Sequence, residues 1–361
     1  MKLKHFLQGF GILAVVLTLL PLLAMDQWWI RIFDFPHVQL TTLTLIAICT
    51  YFIKFDIKTY HDYAFVIVMI GCFIFQGTKI YPYTTLSEVE VGQSNITKGR
   101  DLRVYTANVL QKNKNTKAIL SEINEHNPDI ILLMETNTRW KNEVHPTLSS
   151  EYPFQVLHPL DNTYGILLYS KLELLQPELR FLVDKEIPSI ASKIKLRSGD
   201  VVQFYAIHPT PPMPQHNPQS SDRDTEMMTT AFQCKKNNDS DIPTIVMGDF
   251  NDVAWSATTS LFRKVSGLLD PRIGRGFYNT FNAKNRLMRW PLDHLFVSPH
   301  FRIETLKTGE NIGSDHFATF SILSFEPERS EAQQPEKPTK RELKRAKEQL
   351  ENNNLLPNIS L

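Results

Sequence analysis

A recurring set of carboxylates, carboxamides and histidines sits at the edges of apolar, β-prone runs. Asn108 follows VYTA, Glu135 follows DIILLM, and His208 follows FYAI. Asp249 and Asn251 close the run TIVMG, Asp293 and His294 precede LFVS, and Asp315 and His316 precede FATFSIL. A rigid strand end can aim such side chains into one cleft. Carboxylate oxygens bind hard divalent cations, a His–Asp pair positions and activates water, and a second imidazole can stabilise or protonate phosphate oxygens. Together these types suit metal-assisted phosphoryl chemistry. Taken singly, each has a plainer reading. An Asp–His pair is more often structural, Asn108 suits a strand-end turn, and Glu135 suits the first turn of a helix. The combination and its order carry the weight.

The elements that must hold these residues alternate between strand and helix patterns. Leu102 to Val109 alternates and is β-prone, and Asp129 to Met134 is a continuous apolar run of the fully buried kind. Between them, Asn115 to His126 has Ala118, Ile119 and Ile123 at helical spacing, and Pro128 stops it. Strands are also expected over Tyr164 to Ser170, Lys193 to Leu196, Val201 to Ile207, Thr244 to Met247, His294 to Val297 and Phe317 to Leu323, with a turn at Ser198-Gly199-Asp200 and a helix over Ser221 to Cys234. Mixed sheets with helices outside fit two packed sheet layers better than a doubly wound parallel fold.

The chain has 361 residues, 42% apolar and 21% charged, with 39 Lys and Arg against 38 Asp and Glu. That near balance excludes a globally basic nucleic-acid coat and an acidic disordered chain. Three cysteines are too few for a disulfide framework or a zinc ribbon. Charge is unevenly distributed. Phe6 to Met25, Phe35 to Ile53 and Tyr63 to Thr78 carry no Asp, Glu, Lys or Arg. A membrane span needs roughly 20 apolar residues, which the first two runs approach and the third reaches if Lys79 snorkels. Trp28, Trp29, Tyr60, Tyr81 and Tyr83 flank the runs as an aromatic belt would. A cleaved signal peptide or a buried soluble hairpin are the alternatives. Against the first, no small-x-small site surrounds Ala24, and two more apolar runs follow. Lys2, Lys4, Lys54 and Lys58 put the N-terminus and second loop in the cytoplasm by the positive-inside rule, and everything after Ile80 outside it. The expected organisation is a membrane anchor over 1–80 with three spans, a linker over 81–100, a catalytic domain over 101–325, and a charged, largely disordered tail over 326–361. Within that tail, Thr339 to Glu351 could form a solvated helix.

The blocks TANVL, LLMETN, GDFND, LDHLFVS and GSDHFAT, in that order, resemble those of the endonuclease/exonuclease/phosphatase superfamily over about Asp101 to Phe325. That superfamily includes pancreatic-type deoxyribonucleases, apurinic endonucleases, neutral sphingomyelinases and inositol polyphosphate phosphatases. The resemblance implies a four-layer α/β sandwich, two packed mixed β-sheets flanked by helices, here preceded by transmembrane helices as in membrane-anchored bacterial members. It implies that Asn108 and Glu135 bind a divalent metal, usually magnesium with manganese as a substitute, and that Asp315 lies close to it. It assigns His208 to the phosphate and leaving group, and Asp249 and Asn251 to the attacking water and phosphate. Asp293 would support His316, the catalytic histidine. Apurinic endonucleases place a tyrosine where this chain has His208, so it leans toward the deoxyribonuclease and sphingomyelinase side.

The function expected on these grounds is a membrane-anchored, magnesium-dependent phosphodiesterase or phosphatase, with the lipid bilayer and a phosphoester substrate as partners and no obligate protein partner. In a bacterium with an outer membrane, the catalytic domain would face the periplasm from the inner membrane. A non-catalytic module on the same fold is the alternative, against which the intact polar set argues. A transporter is disfavoured by spans without Asp, Glu, Lys or Arg. Arg272, Arg275, Lys284, Arg286 and Arg289 cluster before the LDH block, either as a solvated loop or as a phosphate-facing lip for nucleic acid or a lipid headgroup. Pro209, Pro211, Pro212 and Pro214 stiffen the loop after His208.

Overall fold

The structure is a computed structural model and describes residues 2–23, 27–94, 99–213 and 219–351. Ala24, Met25, Pro214 and the last ten residues of the tail lie outside the described residues.

Apolar helices come first: α1 (Lys2–Leu19), the short α2 (Trp28–Arg31), α3 (His37–Tyr51) and α4 (Tyr60–Ile80). Helices α1, α3 and α4 pack together through Ala14, Ala47, Tyr51 and Met69. Their outer faces leave Leu13, Val16, Ile46, Ile67 and Ile74 exposed, more contiguous apolar surface than water tolerates. Several polar groups inside the bundle are paired. Gln76 bonds Thr18, Thr44 lies against Gln76, and Asp62 accepts from Lys4 at 2.6 Å and from Tyr51 at 2.9 Å. Lys2–Leu23 and Tyr60–Tyr83 are long and apolar enough to cross a membrane. His37–Lys54 qualifies only together with Trp28–Asp34, from which it is bent by 73°. The Lys4–Asp62 pair fixes the start of α1 beside the start of α4, so residues 27–36 and 81–83 share the opposite end.

The remaining elements are β1 (Asp101–Asn108), α5 (Thr116–His126), β2 (Ile130–Met134), α6 (Thr138–Leu148), β3 (Phe154–His158), β4 (Ile166–Ser170), β5 (Leu174–Arg180), β6 (Ser189–Lys195), β7 (Val201–Ala206), α7 (Ser221–Asp239), β8 (Thr244–Asp249), α8 (Ala257–Ser266), β9 (Asp293–Val297), β10 (Phe301–Thr308), β11 (Thr319–Phe325) and α9 (Lys340–Glu351). One sheet runs β10-β11-β1-β2-β4-β3 and the other β5-β6-β7-β8-β9. The pairs β1–β2 and β7–β8 are parallel, and their other neighbours are antiparallel, so both sheets are mixed.

Strand alternation explains the four layers. Val104, Ile130, Leu132, Phe204, Ile245 and Met247 point between the sheets. Their chain neighbours Tyr105, Ile131 and Leu133 point outward onto Ile119, Ile123 and Trp140 of α5 and α6. Tyr205, Val246 and Phe296 do the same against Met228, Phe262 and Val265 of α7 and α8. The central strands are therefore apolar on both faces, which is why DIILLM reads as a continuous run rather than an alternating one.

Two expectations change at the ends of this domain. The linker docks: Val91 is buried in the inter-sheet core, and Ser94 N–H donates to Ile303 O at 2.9 Å, prolonging the sheet past β10. The tail also docks. The expected helix forms as α9, capped by Thr339 and Glu342, but one stripe of it is not solvated: Ala346 and Leu350 are fully buried against α7 and α8. Before it, Gln333 donates to Pro299 O and Phe301 O, and Glu336 pairs with Lys264. Charge content suggested disorder, but an apolar stripe on an amphipathic helix has a core to cover.

Candidate active site

Asn108, Asp249 and Glu135 stand at or just past the C-terminal ends of β1, β8 and β2. His208 follows β7 by two residues. Asp293 opens β9 and is paired in register with Asp249, because β9 runs antiparallel to β8. His316 precedes β11, which runs antiparallel to β1. The topology thus delivers six side chains from both sheets to one edge of the sandwich. Local backbone helps. Glu135 and Asn251 hold positive φ, 58° and 50°, a conformation that non-glycine residues keep only where surroundings enforce it. Gly248, at φ 147°, lets β8 close onto the end of β7, since a Cβ there would lie 1.9 Å from Ile207 O.

The hub is the buried carboxylate of Asp249. Its Oδ2 accepts from Asn108 Nδ2 at 3.0 Å, and the same amide donates to Glu135 Oε1 at 2.9 Å. Two imidazoles aim Nε2 at that oxygen, His316 from 3.6 Å and His208 from 3.9 Å. Both distances exceed a direct hydrogen bond and fit a shared contact to an intervening oxygen. Asp249 Oδ1 accepts from Asn251 N at 2.9 Å, and the Asn251 amide donates to Pro209 O, tying the loop after His208 to the site. His316 Nδ1 lies 2.8 Å from Asp293 Oδ2, while Asp293 Oδ1 and His208 Nδ1 are buried with no hydrogen-bond partner.

Electrostatics separates the roles. Burial works against charging His316, but the carboxylates of Asp293 and Asp249 outweigh it and carry the imidazole up to about 10. Burial pushes the Asp249 carboxyl above its usual range; His316 opposes this and Asp293 reinforces it. The site therefore holds a persistent imidazolium beside an unusually basic carboxylate.

Of the sequence-predicted residues, Asn108, Glu135, His208, Asp249, Asn251, Asp293 and His316 form one connected group. Asp315 is joined to it only through Ser314, whose hydroxyl donates to Asn108 O at 2.8 Å and lies 3.5 Å from the Asp315 carboxylate. Among the described residues, Asp249, Asp293 and His316 bring ligand atoms within 4.8 Å of one another, as a metal site would. Their bonding disfavours that use. His316 spends Nδ1 on Asp293, and the carboxylates of Asp293 and Asp249 favour its charged form, which has no lone pair for a cation. Glu135 offers the hard carboxylate donor that a divalent ion prefers, beside the Asn108 amide.

His294 is bonded to other partners. Its Nε2 lies 2.8 Å from Asp252 O and its Nδ1 2.6 Å from Arg272, and burial beside that guanidinium drives it well below the usual imidazole range. Arg272 is likewise not part of a basic lip. It is buried, forks onto Asp270 at 2.8 Å, and donates to Asp293 O, so it braces the start of β9 from behind. Arg275 donates to Val91 O and Pro271 O. Lys284 and Arg286 are exposed, and Arg289, on the Phe317 ring, is half-buried like Arg275. Two neighbours escaped the sequence reading: Tyr164, whose ring lies 5.4 Å from His208, and Phe281, 5.0 Å from His316. Both lie far from the motifs in sequence, and no local pattern marks them.

A sequence model described as the endonuclease/exonuclease/phosphatase family matches residues 105–316, more than half of the chain. The fold resembles Danio rerio TDP2 complexed with a single-strand DNA product, at 15% identity and TM-score 0.51, covering 62% of this chain and 99% of that one. It also resembles a mannosyl-6-phosphatase from Bacteroides thetaiotaomicron, at 18% identity and TM-score 0.50, covering 62% of this chain and 100% of that one. At such identities the likeness is one of fold. No curated relative matches the sequence.

Proposed function

Because the chain belongs to the endonuclease/exonuclease/phosphatase family, we propose that it is a membrane-anchored, divalent-metal-dependent hydrolase of phosphoester bonds, acting through the residues gathered at Asp249. The observation that carries this is the convergence of two imidazole Nε2 atoms and one carboxamide on a single buried carboxylate oxygen. Glu135, with Asn108, would hold magnesium or manganese, and Asp315 would lie near it. When bound, the ion supplies positive charge to the phosphoryl oxygens.

The chain's own residues supply the rest. Asp249, made basic by burial, takes a proton from the attacking water. Asn251 fixes that carboxylate through its backbone N–H. The His316 imidazolium, held by Asp293, faces the phosphoryl oxygens and stabilises the charge that builds on them. His208 protonates the leaving oxygen. Water thus adds to phosphorus, one P–O ester bond breaks, and the displaced oxygen leaves with a proton.

The anchor occupies 1–80 with three spans, and the catalytic unit 101–325. Three spans account for residues 27–36 and 81–83 both meeting that unit, since an odd number returns the chain to the side of the first loop. Trp255 Nε1 donates to Asp34 O at 2.8 Å and Tyr83 OH to Ala254 O at 2.8 Å. Buried Tyr83 therefore serves as a clamp, while Trp29 and Tyr81 stay exposed as belt residues. The lysine distribution favours a cytoplasmic N-terminus and an extracytoplasmic catalytic unit, facing the periplasm from the inner membrane of a bacterium with an outer membrane. A hydrolysis panel on the full chain in detergent tests the function. DNA, RNA, sphingomyelin and inositol phosphates are compared with and without magnesium. Magnesium-dependent release from at least one, lost in His316→Ala, is expected. No hydrolysis of any, or equal rates in the variant, would overturn the reading.

A further inference from the structure

The loop Phe281–Trp290 joins the candidate active site to the membrane segment. Its base forms a wall of the site: the Phe281 ring lies 5.0 Å from His316, and Ala283 N–H donates to Asp315 O at 2.7 Å. Backbone bonds close the base, Phe281 N–H to Trp290 O at 2.9 Å and Asn282 N–H to Met288 O at 3.2 Å. Its far end meets the anchor. Gln39, in the first turn of α3, donates to Leu287 O at 2.7 Å, and at the base Phe35 packs edge-on to Trp290 at 5.6 Å. Leu287 therefore stands level with the third residue of a membrane-crossing helix.

The chemistry of the tip matches that position. Leu287 is 80% and Met288 46% exposed, although both are apolar and neither is covered by protein. Lys284 and Arg286 are exposed beside them. Apolar tips flanked by cations seat in the interface of a bilayer with anionic headgroups. Trp29 and Ile32 are also exposed, on the segment that leads into α3. A loop with one end in that interface and the other against His316 brings the cleft mouth to the bilayer surface.

We propose that the Lys284–Met288 tip is a membrane-seated rim and that the substrate is the phosphoester headgroup of a lipid in the bilayer that holds the anchor. This rests on the phosphoester-hydrolase reading above. Water adds to the lipid phosphorus, one of its P–O ester bonds breaks, and the leaving oxygen takes the proton that water loses, so a lipid-soluble and a water-soluble product separate. Lys284 and Arg286 hold neighbouring anionic headgroups while Leu287 and Met288 enter the acyl boundary.

The full chain is reconstituted in vesicles of phosphatidylethanolamine, phosphatidylglycerol and cardiolipin with magnesium. Phosphorus NMR follows the lipid products, and bis(p-nitrophenyl) phosphate reports on a soluble diester in the same sample. Lipid hydrolysis is expected, and the double substitution Leu287→Asp, Met288→Asp should lower the ratio of lipid to soluble-diester rate at least tenfold. Hydrolysis of the soluble diester with intact lipids would overturn the lipid proposal alone. Failure on both substrates would overturn the hydrolase reading beneath it. An unchanged ratio in the variant would remove the rim. Should that variant misfold, an environment-sensitive dye on Leu287→Cys, in a Cys49→Ser background, is expected to be quenched by spin-labelled lipids; an unquenched, water-exposed dye contradicts the rim.

Discussion

Removing the Asp293 carboxylate should cripple turnover chiefly through His316. The two side chains meet at 2.8 Å and are buried. A hydrogen bond to a charged partner contributes roughly 1.5–3 kcal/mol. At about 1.36 kcal/mol per tenfold in rate, its loss in the transition state slows turnover by about 10- to 160-fold. His316→Ala removes the imidazolium itself and should cost about 10²–10⁴-fold, the range of a positioned acid–base group. Because Asp293 acts by holding His316, the double variant should be scarcely slower than His316→Ala. Stability moves differently. His316→Ala leaves Asp293 and Asp249 facing each other without a counter-charge, which costs about 3–5 kcal/mol as for other broken buried pairs. Removing Asp293 as well should recover part of that. The assay is magnesium-saturated turnover of a soluble diester across the four proteins of the cycle, with thermal unfolding alongside. A purely structural Asp293, serving only to start β9, predicts defects that multiply and a double variant less stable than either single. Additivity in log turnover would refute the pairing.

Other outcomes follow from the same geometry. Glu226 is buried with Oε1 unpaired, and burial raises its carboxyl from 4.5 to about 8. The folded state then binds a proton that the unfolded state has released, so its stability is fully present below about pH 4.5 and is lost as pH rises toward 8. Glu226→Gln should cancel that loss, its melting-temperature advantage growing between those values, and a pH-independent difference would contradict the assignment. Leu350→Ala should destabilise the full chain by about 2–5 kcal/mol in denaturant unfolding, as for other buried leucines, whereas a solvated tail predicts no change. A reporter active only outside the cytoplasm, fused after Phe325, should be active; activity of a cytoplasmic reporter there instead would reverse the orientation.

Much of the site was legible because the chemistry sits at strand ends. VYTAN, DIILLME and TIVMGDFN each couple a buried run to a polar terminus, and that junction is a local signal. What escaped depends on distant partners. The strands β3, β5 and β10 lack strong alternation and are recruited by their neighbours. Arg272 looked like one more surface cation, yet Asp270 and His294 lie close enough to bury it. The loop around Phe281 has no recognisable pattern, and only its contacts with His316 and Gln39 give it a place. The docking of tail and linker left no local signal either. Their charge content is high, but Val91 and Leu350 each find a core.

The central claim is that a divalent ion held at Glu135 works with the Asp249 cluster on a phosphoester. The most direct measurement is magnesium binding by calorimetry together with hydrolysis across a magnesium titration, for the full chain and for Glu135→Gln. Wild-type protein should bind magnesium and hydrolyse only in its presence. The variant should lose both while melting at the wild-type temperature. Wild-type turnover by Glu135→Gln at limiting magnesium, or hydrolysis persisting in excess chelator, would contradict the account.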